Sequence, residues 1–232
     1  MKRALFILLF APAVATAQEP YYSGVDSIGA KPIAQREKPA LFFESKVHWP
    51  SLKIDQPRSA WEYAQRGMYR QDDLEDVAAA EADYREAIGL DGHLLIARAR
   101  LGTILLKRAR TETSTTTRLY QTAEAVAQFD EVLHEQPFRP GMHKKIAQAY
   151  VIEYETTGDG AKADMAVTAY RAELAQAPRN QSVHFELAFL LNGLGRGTEA
   201  REHIDRYLAL AAVHGDPYPY KILEAEQLRQ SL

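Results

Sequence analysis

One arrangement of small and large apolar residues recurs four times between residues 80 and 207. In each copy, an alanine is followed four positions later by a large apolar side chain. Because a spacing of four puts both side chains on one face of an α-helix, each copy predicts a helix that packs through a small and a large residue. The four pairs are Ala80 with Tyr84, Ala125 with Phe129, Ala166 with Tyr170, and Ala200 with Ile204.

A second apolar pattern precedes each copy, and Pro137 and Pro178 end two of the copies at equivalent points. Two helical patterns that alternate along a chain indicate a helical repeat rather than a plain bundle. The preceding patterns are Trp61, Ala64 and Met68; Leu101-Gly102 and Leu105; Ile146-Ala147 and Tyr150; and Leu187-Ala188, Leu191 and Gly195.

The combined pattern resembles the tetratricopeptide repeat (TPR) family over roughly residues 58–213. Members stack pairs of antiparallel helices, named A and B, in units of about 34 residues. The resemblance implies an all-α fold, a right-handed superhelical solenoid of about four helix-turn-helix units. The units are expected at about 58–92, 93–137, 138–178 and 179–213.

Local signals predict where the helices begin and end. Ser59 is a good N-cap for the first helix. The segment 111–117, rich in threonine and serine, is a poor helix former and is expected to be a loop, as is the segment 156–160 with its two glycines. The expected helices are 59–70, 74–90, 93–110, 119–136, 140–154, 162–177, 180–192 and 198–212.

The segment 217–232 is predicted to end the array. A helix over about 220–232 would place Ile222, Leu223, Ala225 and Leu228 on one apolar face. Such a helix covers the last unit and presents its polar side to water, as a capping helix must.

The N-terminal 57 residues differ from the rest. Residues 1–17 have the features of a secretory signal peptide, with Lys2-Arg3, a short apolar run and Ala15-Thr16-Ala17 at the cleavage positions. Residues 18–57 contain several prolines and no helical period, which predicts a non-helical arm. Two interpretations remain for this arm: it packs on the first unit, or it docks on a partner.

Composition narrows the class of protein. The chain has 232 residues and no cysteine, which excludes disulfides, cysteine-linked haem and a lipid on cysteine. A secreted helical protein without cysteines is expected in a bacterial periplasm. Without Lys2 and Arg3, 26 basic residues stand against 31 acidic ones, a net charge of −5. This mild acidity argues against nucleic acid as a partner, and no transmembrane segment is expected in the mature chain.

Candidate chemistry is sparse. No histidines have the spacing of a helical metal site, and no glycine-rich segment follows a predicted strand. His143 and His184 occupy equivalent positions in two units, where they could bind a metal or could be half-buried residues with local hydrogen bonds. We expect no enzymatic activity, no cofactor and no metal.

In the TPR family, ligand contacts come mostly from A-helix residues that do not pack between units. The resemblance therefore implies a partner-binding surface that is basic at one end and aromatic at the other, which suits a protein or peptide with acidic side chains or a free carboxylate. Besides Glu62 and Lys145, the surface comprises Arg66, Tyr69, Arg70, Arg100, Thr103, Lys107, Lys144, Gln148, Phe185, Phe189 and Asn192.

These features lead to two hypotheses about function. The first is a non-catalytic periplasmic adaptor that binds a protein segment on its concave face and assists assembly of an envelope complex. The alternative is a permanent structural subunit of such a complex or filament, docked through the N-terminal arm.

Overall fold

A computed structural model of the chain describes residues 56–216 and 218–232. The expected signal peptide lies outside the described residues, and so does all but the end of the expected arm. Every regular element in the described part is an α-helix. The helices are α1 (Ala60–Asp72), α2 (Val77–Leu90), α3 (Leu95–Thr111), α4 (Thr115–Glu135), α5 (Met142–Thr157), α6 (Gly160–Gln176), α7 (Gln181–Gly193), α8 (Gly197–His214) and α9 (Pro219–Ser231).

The helices pack in sequence order. Each helix from α1 to α8 contacts the next one along the chain, and α3 also contacts α5. The odd-numbered helices α1, α3, α5 and α7 are therefore the A helices of four units, and α2, α4, α6 and α8 are the B helices. This is the expected all-α solenoid.

The recurring alanines lie buried between packed helices. Ala80, Ala125, Ala166 and Ala200 are all fully buried. Their large partners are buried as well, and the aromatic ring or branched side chain fills the space beside each alanine. The pattern in the sequence is thus the packing face of every B helix.

Two helices begin earlier than the sequence predicts. The threonines at 115–117 form the first turn of α4, because the Ser114 hydroxyl accepts a hydrogen bond from the Thr117 amide and caps the helix. Likewise α6 begins at Gly160, because the Asp159 carboxylate accepts from the Ala161 amide. The expected loops at 111–117 and 156–160 are therefore wrong in length, since a capping side chain outweighs poor helix propensity.

The alignment of the first unit also needs correction. A Cβ added at Gly102 would lie 2.7 Å from the Phe129 ring, and a Cβ added at Gly67 would lie 2.8 Å from the Tyr84 ring. Gly67 is therefore the counterpart of Gly102, whereas the alignment of Trp61, Ala64 and Met68 with the later units puts the small-residue position two residues earlier. Sequence pattern alone missed this shift of two residues, because Ala64 and Met68 are apolar and buried in either register.

Helix α9 packs on the last unit. Ala225 and Leu228 are buried in a cluster with Ala188, Ile204 and Tyr207, and Ile222 packs against its edge. Leu223 is 56% exposed, so the prediction that it faces the core is wrong. Residues 222, 225 and 228 are spaced by three, and residue 223 falls outside that stripe.

Candidate protein-interaction surface

Hydrogen bonds join the A helices of consecutive units in a repeated way. Lys145 Nζ on α5 donates to Thr103 Oγ1 on α3 at 2.6 Å. One unit later, Gln148 Nε2 on α5 donates to Glu186 Oε2 on α7 at 2.7 Å. In both pairs, one residue stands two positions before the small residue of its helix and the other stands directly after it. These side chains form a row along one side of α3, α5 and α7.

Two predicted contact residues in the first unit serve the fold. Arg66 Nη2 lies 2.6 Å from Asp83 Oδ1, and Arg70 Nη1 lies 2.9 Å from Asp83 Oδ2. The Asp83 side chain is only 2% exposed. Because a buried carboxylate needs charge-assisted partners, both guanidinium groups hold α1 against α2.

Two further predicted cations form ion pairs between units. Arg100 Nη1 lies 2.9 Å from Asp72 Oδ1, and Lys144 Nζ lies 3.0 Å from Glu186 Oε1. Lys144 also donates to Ser182 Oγ at 2.8 Å. These side chains are partly exposed, so a partner could reach them, although a carboxylate already accepts from each.

Lys145 has a different electrostatic environment. Among the described residues it forms no ion pair, and its ammonium lies 5.7 Å from the centre of the Phe129 ring. Burial, together with the positive charges of Lys107, Arg100, Lys144 and Arg139, lowers the pKa of Lys145 to about 8. Arg139 is itself buried, and burial lowers its pKa to about 9. Positive charges thus act on Lys145 from helices α3 and α5 and from the segment before α5.

The aromatic end of the surface is only partly covered. The Phe185 and Phe189 rings lie 4.6 Å apart, and Phe185 packs edge-on against Tyr207 at 5.1 Å. Lys221 on α9 lies over both Phe185 and Tyr218. Phe185 is thus part of the junction with α9, whereas Phe189 remains 38% exposed.

The remaining predicted residues are more accessible or play small local roles. Lys107 and Asn192 are exposed, and Tyr69 is half-buried. Thr103 and Gln148 form the hydrogen bonds between units described above. The predicted surface therefore contains residues with different roles. The α1 arginines stabilise the first unit, and Arg100 and Lys144 pair with carboxylates. Lys145 donates to a neutral hydroxyl, and Phe189 is partly exposed.

Comparison with solved structures identifies the fold. TTC0263, a thermophilic TPR protein from Thermus thermophilus, superposes with a TM-score of 0.54 at 18% sequence identity, covering 75% of this chain and 82% of that one. The fold is that of the TPR proteins. MamA from Desulfovibrio magneticus RS-1 (residues 41 to the end) gives a TM-score of 0.59 at 17% identity, covering 72% of this chain and 86% of that one. No protein-family profile and no curated protein sequence matches the chain.

Within the TPR array, His184 contacts His203 on α8. Its Nδ1 lies 3.0 Å from Nδ1 of His203, and its Nε2 lies 3.0 Å from the carbonyl oxygen of Pro178. A carbonyl only accepts, so His184 carries its proton on Nε2, and His203 donates from Nδ1 to Nδ1 of His184. Burial lowers the pKa of both rings. Local hydrogen bonding, one of the two interpretations from sequence, accounts for His184.

The described residues contain neither a cluster of metal ligands nor a membrane-spanning helix. Within residues 56–216 and 218–232, no three histidine, aspartate or glutamate side chains cluster as metal ligands would. None of the helices in this part of the chain combines the length and hydrophobicity of a membrane span.

The sequence did not point to two contributors to this surface and its surroundings, and it underrated a third. His203 and Lys221 were missed because contacts between α7, α8 and α9 leave no local sequence signal. Lys145 was named but not ranked among the main contacts. Its equivalence to Arg100 was a usable signal, since each stands two positions before the small residue of its A helix.

Proposed function

We propose that this protein is a non-catalytic adaptor of the bacterial cell envelope that binds a protein segment along α3, α5 and α7. Tandem TPR units expose long, rigid helical faces, and such faces suit extended partner segments. In this proposal the partner assembles into an envelope complex, and the adaptor positions it.

One observation carries the proposal. The residues directly after the small residue of α3, α5 and α7 are Thr103, Gln148 and Phe189. At one end of this row, Thr103 accepts a hydrogen bond from the cationic Lys145. At the other end, the Phe189 ring is partly exposed. A segment with an acidic side chain or free carboxylate and one large apolar side chain would complement both ends.

The compartment is inferred from the N-terminal sequence. A positively charged start, a short apolar run and small residues before Gln18 favour export, and the lack of cysteine is compatible with an oxidising periplasm. Expression of the full chain, followed by cell fractionation and N-terminal sequencing, tests this inference. A mature chain that begins at Gln18 in the periplasmic fraction is expected, and an unprocessed cytoplasmic chain would contradict it.

Photo-crosslinking in intact cells tests the binding surface. A photoreactive phenylalanine analogue replaces Phe189 in one variant and Tyr120 in another. Tyr120 is 66% exposed on the B helix α4, so it is a matched control. The adaptor hypothesis predicts a discrete crosslinked product at position 189 and none at position 120. Equal labelling at both positions, or none at 189, would contradict it.

Cells that carry the photoreactive residue at position 189 also distinguish the adaptor hypothesis from the hypothesis of a permanent subunit. Deletion of residues 18–55 leaves a crosslink at position 189 intact if binding occurs along the A helices. Loss of the crosslink on deletion would instead favour the subunit docked through its arm.

A further inference from the structure

Ion pairs join the B helices of consecutive units in a repeated register. Arg85 on α2 donates from Nη2 to Glu124 Oε2 on α4 at 3.1 Å. Two units later, Arg171 on α6 pairs with Glu199 on α8. In both pairs the arginine stands directly after the large residue of its helix, and the glutamate stands directly before the buried alanine of the next B helix. These pairs link the first unit to the second and the third unit to the fourth.

The junction between α4 and α6 departs from this register. The residue directly after Phe129 is Asp130, and the residue directly before Ala166 is Met165. A carboxylate therefore stands where α2 and α6 carry an arginine, and a thioether stands where α4 and α8 carry a glutamate. An aspartate and a methionine cannot form the ion pair that links the other units.

Both side chains of this junction are accessible. Asp130 is exposed, and Met165 is 42% exposed. Small exposed residues continue the same two helix faces at spacings of three and four. They are Ala123 and Ala127 on α4, and Ala161 and Thr168 on α6. Side chains this small let another helix approach α4 and α6 closely.

The two cations of α6 are engaged with other carboxylates. Lys162 Nζ lies 2.7 Å from Glu153 Oε2 on α5. Arg171 pairs with Glu199 on α8. Neither of them is therefore used to pair with Asp130 on the preceding B helix.

Asp130 also lies in surroundings that disfavour its charge. Partial burial raises the pKa of its carboxyl, Glu131 adds to the shift and His143 opposes it. A cation supplied by another molecule would favour the ionised carboxylate, since opposite charges attract and the carboxylate is then paired.

The last unit shows which group complements an aspartate at this position. Asp205 directly follows Ile204 on α8, as Asp130 directly follows Phe129 on α4. Asp205 Oδ1 lies 3.9 Å from Arg229 Nη1 on α9, the next helix that packs on α8. The complement of this aspartate within the chain itself is thus an arginine carried by a helix.

We infer that the junction of α4 and α6 is a second docking surface, for a partner helix that places a basic side chain at Asp130 and an apolar side chain at Met165. The charge of Asp130 selects the basic residue, and the exposed thioether provides the apolar contact. This surface lies on the B helices and so goes beyond the proposed function, which uses the A helices. A protein with both surfaces can hold two partners at once.

Methionine methyl NMR provides a test with internal references. The chain of residues 18–232 contains Met68, Met142 and Met165, of which the first two are buried. The probe is an acetylated, amidated, alanine-based peptide of about 17 residues, long enough to be helical, with Arg-Leu at its centre. A saturable shift of the Met165 signal is expected, with the Met68 and Met142 signals unchanged. No shift at Met165, or an equal shift with a Glu-Leu peptide, would overturn the surface.

Two matched variants separate this site from a general attraction of cations to an acidic protein. Asp130→Asn is expected to weaken peptide binding by about fivefold, the contribution of one exposed ion pair. Asp164→Asn is the control, because Asp164 precedes Met165 in the chain and its side chain is 78% exposed. It is expected to bind as the wild type does. Equal losses in the two variants would overturn the surface.

A double variant closes the junction. Asp130→Arg combined with Met165→Glu rebuilds the ion pair of the neighbouring junctions, so calorimetry is expected to detect no peptide binding. Binding at the wild-type affinity would overturn the surface. In cells, the crosslink at position 189 is expected to persist in this variant, and its loss would contradict a separate surface. Tyr120, the crosslinking control, lies about 15 Å from Asp130 along α4 and outside this surface.

Discussion

Lys145 Nζ donates a 2.6 Å hydrogen bond to Thr103 Oγ1 and so joins the A helices of two consecutive TPR units. The hydroxyl in turn donates to the carbonyl oxygen of Ala99 at 2.7 Å. A neutral hydroxyl orients the ammonium without neutralising it. The contact therefore holds a positive charge in place at the point where the positive charges of α3 and α5 meet.

The stability of the protein should depend on the charge of Lys145. Its pKa is lowered from 10.5 to about 8 on folding, so the folded state binds fewer protons than the unfolded state between these values. The contribution of Lys145 to the free energy of unfolding is therefore lowest below pH 8, and it increases as pH rises toward 10.5. Lys145→Met is expected to be more stable than the wild type by up to about 1 kcal/mol at pH 7.

Urea unfolding at pH 7 and pH 10 measures this difference. The gain from Lys145→Met should shrink at pH 10, because the folded wild type no longer carries the charge there. A gain that is the same at both values would show that packing of the stem, and not charge, is responsible.

The close approach of α3 to α4 should make Gly102 sensitive to a single methyl group. The added Cβ would lie 2.7 Å from the Phe129 ring, inside van der Waals contact. Gly102→Ala is expected to destabilise the protein by about 1–3 kcal/mol through overpacking. Gly89→Ala is the control, because a Cβ there meets nothing within 4 Å, and it is expected to stabilise by up to about 1 kcal/mol. Chemical denaturation checks both, and equal effects would contradict the register.

The buried carboxylate of Asp83 should matter more than an exposed one. Asp83→Asn removes the negative charge that Arg66 and Arg70 pair with in a partly buried site. This loss is expected to lower the free energy of unfolding by about 3 kcal/mol. Asp205→Asn is the control, since Asp205 and Arg229 are both about half exposed and lie 3.9 Å apart. Its cost should stay below about 1 kcal/mol. Thermal unfolding measures the stability of both variants. A smaller loss of stability for Asp83→Asn than for Asp205→Asn would contradict the prediction.

The histidine pair should make the last unit sensitive to acid. The pKa of both His184 and His203 is lowered from 6.5, chiefly by burial. Arg206 adds to the effect at His184 and Arg171 at His203, whereas Glu202 and Glu199 oppose it at His203. The folded state therefore binds fewer protons, and stability is fully present above about pH 6.5 and falls below it.

Urea unfolding between pH 5 and pH 7.5 tests this dependence. The wild type is expected to lose stability steadily as pH falls below 6.5. His203→Asn, whose amide can still donate toward His184, should show a shallower dependence because one titrating ring is gone. Identical slopes for the two proteins would contradict a role for this pair.

The sequence by itself determined the presence of the helices, their order and the faces through which the B helices pack. An alanine and a large apolar residue four positions apart lie on the same face of a helix, and that face must be buried. Ala125 and Phe129 therefore indicate the packing face of α4 from sequence alone, and both are buried in the structure. Helix ends were less predictable, because one capping hydrogen bond from Ser114 outweighed the poor helix propensity of three threonines.

Only the tertiary structure decided which charged residues the fold uses. Arg66 and Lys145 look alike in sequence, as cations on the A helices. Asp83, seventeen residues away, accepts from Arg66, whereas the positive charge of Lys107 on the preceding A helix lowers the pKa of Lys145. The pairing depends on distances between helices from different parts of the chain, and a linear pattern of charge does not contain those distances.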